Sequence, residues 1–90
     1  MTLSLMRLKS FEKDSSKLKL TDKHFTRFVE YLYLLSQGQE LPPEARDHAL
    51  KGEWEDFREF HVSGDVLVIY RLEAESVKLV RIGSHSQLFN

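Results

Sequence analysis

The 90-residue sequence contains no cysteine, only two prolines and four glycines, and a single tryptophan. Without cysteine there is neither a disulfide framework nor a thiolate zinc site. So little proline and glycine excludes collagen-like and low-complexity chains. No apolar run approaches the roughly 20 residues that cross a bilayer. The opening segment up to Phe11 is too short and too broken by charge for a secretory signal, so a cytoplasmic location without a membrane partner is expected. Net charge is also nearly missing, at −1 from 13 Lys+Arg and 14 Asp+Glu. Counter-ion release alone therefore cannot drive nucleic-acid binding. No G-x-S-x-G and no glycine-rich phosphate loop is present.

What is present is ordinary for a folded protein: 41% hydrophobic, 11% aromatic and 30% charged residues. A second core would fall below the size that folds unaided, so a single domain over residues 1–90 is expected. The charge is unevenly placed. Residues 1–27 hold seven Lys/Arg against three Asp/Glu, residues 28–60 three against eight, and residues 61–90 three of each. The N-terminal third can present a local basic face.

Thr2 to Leu8 opens with polar–apolar alternation and predicts a short strand. From Ser10 the period changes, and Phe11, Leu18 and Leu20 among lysines predict a short basic helix. Thr21 or Asp22 can cap the next helix, whose apolar stripe is Phe25, Phe28, Val29, Leu32 and Leu35, widened by Tyr31 and Leu34. Gly38 ends it, and Leu41-Pro42-Pro43 cannot continue it. Residues 39–53 read as a long loop with one helical turn near Glu44–Arg46, a length that usually carries function. A strand from Trp54 to Val62 then puts Phe60 and Val62 on one face and Phe57, Glu59 and His61 on the other. Ser63-Gly64-Asp65 is a turn, Val66–Leu72 a strand apolar enough for cover on both faces, and Val77–Gly83 a third strand. The tail 84–90 reads as a loop or one helical turn. The result is an α+β fold: an antiparallel-dominated sheet, made of the N-terminal strand and a C-terminal meander, with two helices on one face.

Three of the four histidines follow the helices. His48 lies in the long loop, His61 ends the first meander strand and His85 follows the third. Histidines suit proton transfer near neutral pH, and Glu59 shares a face with His61. Arg81 interrupts an apolar strand, and a guanidinium there needs a carboxylate or an anionic ligand; Glu59 across the sheet is one candidate. Each also has a plainer role: His48 bracing its loop, Asp65 making its turn, Phe89 plugging the core, Trp54 filling it. The histidine spacings match no metal-ligand motif, so neither metal nor other cofactor is expected. Residue chemistry alone stops at a His/Arg/acid site on a small sheet.

Four ordered blocks extend this. Asp47-His48-Ala49-Leu50-Lys51-Gly52-Glu53-Trp54, Phe57-Arg58-Glu59-Phe60-His61-Val62, Asp65-Val66-Leu67-Val68-Ile69-Tyr70 and Arg81-Ile82-Gly83-Ser84-His85-Ser86-Gln87-Leu88-Phe89 resemble YafQ-type toxins of the RelE/ParE superfamily of bacterial type II toxin–antitoxin systems. The similarity covers residues 41–90; residues 1–40 share length, a Phe/Lys-rich start and a helix pattern. The resemblance implies a RelE-like fold and a metal-independent mRNA endoribonuclease, in many members acting on the translating ribosome. It implies a cognate antitoxin, mRNA and the ribosome as partners. His48, His61, Asp65, His85 and Phe89 match the family's active-site positions, and Glu59 and Arg81 match positions implicated in some relatives. Where some relatives carry Trp after the Asp, this chain has Val66, which shifts base stacking onto Phe89. The residue types suit attack of an RNA 2′-OH on its phosphate: His48 or His61, with Glu59 or Asp65, as base, His85 as acid and Arg81 as phosphate clamp. Two other classes share the fold: a gyrase-directed toxin, against which the three histidines weigh, and a non-catalytic module that only binds protein.

Overall fold

A computed structural model describes residues 2–89; Met1, and Asn90 of the predicted tail, lie outside the described residues. In chain order the elements are β1 (Ser4–Arg7), α1 (Lys9–Ser15), α2 (Asp22–Ser36), β2 (His48–Ala49), β3 (Arg58–His61), β4 (Leu67–Leu72), β5 (Ser76–Gly83) and α3 (His85–Phe89). Single 3-10 turns occupy Pro43–Ala45 and Gly52–Trp54. The sheet runs β1-β5-β4-β3-β2, with β1 parallel to β5 and the other pairs antiparallel.

The predicted α+β architecture is therefore present, with one strand more than the sequence suggests. The segment 39–53 is not a bare loop, because His48 and Ala49 pair with Glu59 and Arg58. Two residues are too few to show a period, so the strand leaves no trace in the pattern. Strand β3 is correspondingly shorter than Trp54–Val62. Helix α1 stops at Ser15, leaving Leu18 and Leu20 in the connection.

Helix α2 starts where expected. The Thr21 hydroxyl oxygen accepts a hydrogen bond from the His24 N–H at 3.2 Å, satisfying one of the free donors of the first turn. At the other end Gly38, at φ 70°, takes the left-handed conformation that glycine adopts without steric cost. The buried stripe differs from the predicted one. Tyr31 and Leu35 are buried and Phe28 and Leu32 pack beside them, while Phe25 and Val29 face outward. The helix is apolar on too much of its circumference for spacing alone to select the inward side.

Both faces of the sheet carry apolar clusters of unequal size. Under α1 and α2 lie Phe60, Val62, Val68, Tyr70, Val77, Leu79 and Ile82 together with Phe11, Tyr31 and Leu35. Full burial of such a side chain stabilises by about 1.5–3 kcal/mol. On the opposite face Leu67, Ile69, Val80 and Leu88 form a smaller cluster, flanked by Leu50, Trp54, Phe57 and Phe89. The central β4 is thus covered on both sides from Leu67 to Tyr70, as its unbroken apolar run predicts.

Strand β5 contains a bulge: Ile69 pairs with Arg81 and Tyr70 with Leu79, so Val80 is the extra residue. The bulge resolves the anomaly of a charged residue in an apolar strand. Strict alternation would put Arg81 on the side of Val77 and Leu79, inside the helix-covered core. The bulge instead returns Ile82 to that core and releases Arg81. Along this stretch α1 takes over from β1 beside the strand: the Ser10 hydroxyl donates to the Val80 carbonyl at 2.6 Å, and the Ile82 N–H donates to Asp14 Oδ2 at 3.1 Å.

Candidate functional site

Directly paired residues point to the same face of a sheet, so the register lays out the smaller-cluster face as a grid. One row reads His48, Glu59, Ile69, Arg81, and the next reads His61, Leu67, Gly83. His48, Glu59 and His61 occupy the β2–β3 corner. Leu67 and Ile69 separate them from Arg81 and from α3, which begins at His85. Two strand spacings, roughly 10 Å, divide His61 from Gly83.

The corner is tightly built. Glu59 is 6% exposed, and its Oε1 lies 3.1 Å from His48 Nε2 and 3.7 Å from His61 Nε2. The two imidazoles lie with ring centres 6.5 Å apart. His48 Nδ1 is 2.6 Å from the Arg46 carbonyl. A carbonyl oxygen only accepts, so Nδ1 carries the hydrogen and Nε2 is the nitrogen free to exchange a proton. Its contact with Glu59 becomes attractive when Nε2 is protonated. Burial, and then the charge of Arg46, hold His61 below the ordinary histidine value of 6.5, against the opposing pull of Glu59. Glu59 Oε2 and His61 Nδ1 are buried without a hydrogen-bond partner. Buried polar atoms are nearly always satisfied, and such exceptions concentrate where a group serves something other than stability.

Arg81 does not meet Glu59. Its Nε donates to Asp14 Oδ2 at 2.6 Å and an Nη to Asp14 Oδ1 at 3.1 Å. This two-point pair with a residue 67 positions earlier is invisible in the sequence. Burial alone would raise the Asp14 pKa, but the Arg81 fork and the Ile82 N–H outweigh it and hold the carboxyl below its usual value of 3.8. The pair still leaves part of the guanidinium unengaged. Asp65 is exposed in the β3–β4 turn, where its N–H faces the Ser63 hydroxyl at 3.3 Å. Among the described residues no ion pair reaches its carboxylate, and Glu59 fills the place beside the histidines.

His85 is set by a reciprocal cap. The Ser84 hydroxyl oxygen accepts from the Gln87 N–H at 3.2 Å, and Gln87 Oε1 accepts from the Ser84 N–H at 2.8 Å. This S-x-x-Q box starts α3 and fixes His85 in its first turn. Gly83 makes the close approach possible, since a Cβ there would stand 2.8 Å from Gln87 Oε1. Phe89 lies half-buried, its ring centre 5.0 Å from that of His85 and 6.0 Å from that of Trp54. It is both the plug and a partly open ring.

Three features escaped sequence reasoning. Arg46, at φ 50°, holds His48 through its carbonyl and acts on His61 through its charge, and nothing local announces a left-handed arginine. The Ser84/Gln87 box is the second, and the S-x-x-Q spacing is the signal that could have found it. Asp47, Arg58 and Tyr70 form a further polar cluster behind the corner. Among the described residues no group of three or more histidine or acidic side chains is placed to hold a metal ion.

A five-stranded mixed sheet with two helices on one face and a histidine–carboxylate corner on the other makes this a small α+β protein. Residues 3–90 match the family described as bacterial toxin of type II toxin–antitoxin system, YafQ. The chain belongs to that family. It is 32% identical over 79 residues to the mRNA interferase toxin YafQ of Escherichia coli K12, covering 83% of this chain and 86% of that protein. The crystal structure of a copper-bound mutant toxin from Helicobacter pylori superimposes with a TM-score of 0.86 at 40% identity, covering 97% of this chain and 99% of that one. YafQ in the E. coli DinJ–YafQ toxin–antitoxin complex gives 0.85 at 26% identity over the full length of both chains.

Proposed function

We propose that this toxin is an mRNA endoribonuclease that cleaves by metal-independent attack of the substrate's 2′-OH and so inhibits translation, acting on ribosome-bound message. The carrying observation is the His48–Glu59 pair: Nδ1 is tied to a carbonyl, and Nε2 stands beside a buried carboxylate. That tautomer is the one a general base needs. His48 Nε2 takes the 2′-OH proton, and the resulting imidazolium gains the attraction of Glu59 only once the proton has moved, which favours the transition state over the ground state. His61, kept neutral by its surroundings, braces Glu59 without quenching its charge. O2′ bonds to phosphorus, and the bond to O5′ breaks as His85 supplies its proton. The unengaged part of Arg81 stabilises the charge gathering on the phosphorane oxygens. Phe89 stacks on an unpaired base from the α3 side, and Asp65 contacts the nucleotide from the rim of its turn.

The activity resides in the one domain of residues 1–90. The name mRNA interferase borne by the E. coli relative supports the reaction class, and the DinJ–YafQ complex supports a cognate antitoxin as partner. A translating message as target implies action in the cytoplasm. No helix among the described residues is long and apolar enough to cross a membrane.

The test is product chemistry on a ribosome-bound message. A 2′,3′-cyclic phosphate or 3′-phosphate and a 5′-OH are expected. Cleavage should survive chelation of divalent ions once ribosome integrity is controlled separately, and stop when the nucleotide at the cut is 2′-deoxy. A 5′-phosphate product, or cleavage of the 2′-deoxy message, overturns the mechanism.

A further inference from the structure

Behind the histidine corner, on the helix-covered side of the sheet, lies a polar cluster with no direct access to a substrate on the open face. Tyr70 is buried completely on β4. Its hydroxyl donates to Asp47 Oδ1 at 2.5 Å. Arg58 Nε donates to the same oxygen at 3.3 Å and to the Tyr70 hydroxyl at 3.2 Å. Arg58 and Tyr70 face each other across β3 and β4, and Ala49 faces Arg58 across β2 and β3. Burial and the neighbouring Asp47 carboxylate push the Tyr70 hydroxyl far above its ordinary value, so it remains a donor over the whole physiological range.

A tyrosine hydroxyl at the centre of a sheet costs free energy unless it is bonded, and phenylalanine would fill the same space. The bond it makes reaches the residue immediately before His48. On the backbone, that segment is otherwise held by a short pairing with β3, continued where the Leu50 N–H donates to the Phe57 carbonyl. Strand β2 is two residues long, and Arg46 sits in a backbone region that side chains disfavour. Successive residues of an extended chain point to opposite faces. Asp47, drawn back toward Tyr70 and Arg58, therefore turns His48 forward onto the face that holds Glu59.

We propose that Asp47, Arg58 and Tyr70 are positioning residues for His48: they hold the Arg46–Ala49 backbone against the sheet so that the imidazole keeps Nδ1 on the Arg46 carbonyl and Nε2 beside Glu59. The proposal rests on His48 acting in catalysis, and its test separates the two statements.

The experiment compares Tyr70→Phe, Asp47→Asn and Asp47→Ala with the parent toxin, using Tyr31→Phe as control. Tyr31 is a buried tyrosine on α2 outside this cluster. Two quantities are read: the ring N–H and carbon-bound proton signals of His48 by NMR, and the kcat and KM of message cleavage. In Tyr70→Phe the His48 ring N–H signal should broaden into exchange with water, and kcat should fall about tenfold with KM nearly unchanged, as small misplacements of a reacting group do. Asp47→Asn keeps an acceptor for the tyrosine and should restore part of what Asp47→Ala loses. Tyr31→Phe should change neither quantity. Unaltered His48 signals in folded Tyr70→Phe overturn the proposal, and this variant keeps the core volume, so it decides even if Asp47→Ala does not fold. If the signals change while cleavage persists in these variants and in His48→Ala, the positioning stands and the catalytic role of His48 falls.

Discussion

Two of the carboxylates sheltered by the sheet, Asp14 and Glu59, are treated in opposite ways. Asp14, on α1, meets two nitrogens of Arg81 and the Ile82 N–H, and its pKa is held down. Glu59, more deeply buried, has two histidine nitrogens near one oxygen and nothing on the other. A satisfied acid with a fixed partner is a clasp between elements. An incompletely satisfied one, faced by groups that gain and lose protons, is kept ready for something that arrives later. One region is finished by folding, and the other, on the proposed mechanism, is finished by its substrate.

Substitutions should split along this line, and the largest effect belongs to the unfinished region. Glu59→Gln and His85→Ala are each expected to lower the cleavage rate by about 10²–10⁴-fold, the usual range for losing a proton-transfer group or its support. Their thermal midpoints should stay near that of the parent, measured by calorimetry beside the cleavage assay. A large fall in stability with activity retained would make these residues structural and erase the contrast.

Next in size is the clasp. Asp14→Ala leaves a part-buried guanidinium and the Ile82 N–H without their acceptor and should destabilise by about 1–3 kcal/mol in denaturant titrations. Because the folded-state pKa of Asp14 lies below its unfolded value, the clasp contributes fully above that unfolded value. The contribution is lost as pH falls through the folded one. The stability gap between parent and Asp14→Ala should therefore close in acid. A gap independent of pH would show that the carboxylate's charge is not what holds α1 to β5.

The smallest effect concerns the electrostatics of the corner. Arg46→Gly removes a charge at a backbone position where glycine is at ease, so stability should hold or rise slightly. His61 should then titrate closer to the ordinary histidine value, since Arg46 is one of the influences that lower it, though burial remains the first. Proton NMR of the His61 ring against pH measures this. An unmoved titration would remove Arg46 from the causes and leave burial and the neighbouring His48.

Much of this was legible in the sequence. The helix cap at Thr21, the stop at Gly38, the doubly covered β4 and the shared face of Glu59 and His61 all follow from local chemistry and from periods of two or 3.6. The features that escaped are those without a period. Strand β2 is too short to alternate, the bulge at Val80 breaks the alternation that would assign Arg81, and the Asp14–Arg81 pair joins segments far apart in the chain. The residue types for the site were readable, but their grouping depended on register. Thus Arg81, expected beside Glu59 or a phosphate, holds α1, and Asp65 stands apart from the histidines.

The parallel pairing of β1 with β5 has a consequence for how the protein comes into being. Ser4 lies opposite Ser76, so a segment made early in synthesis waits for one made much later before it has a neighbour. Closing so long a loop costs entropy before the contact can reward it, which slows this step of folding. The strand that completes the sheet also carries the residue that grips α1 and leads into the helix bearing His85. During synthesis the histidines of β2 and β3 exist well before the framework that aligns them. On the proposed mechanism, a ribosome making this chain is therefore exposed to a complete site only after β5 and α3 have emerged from it.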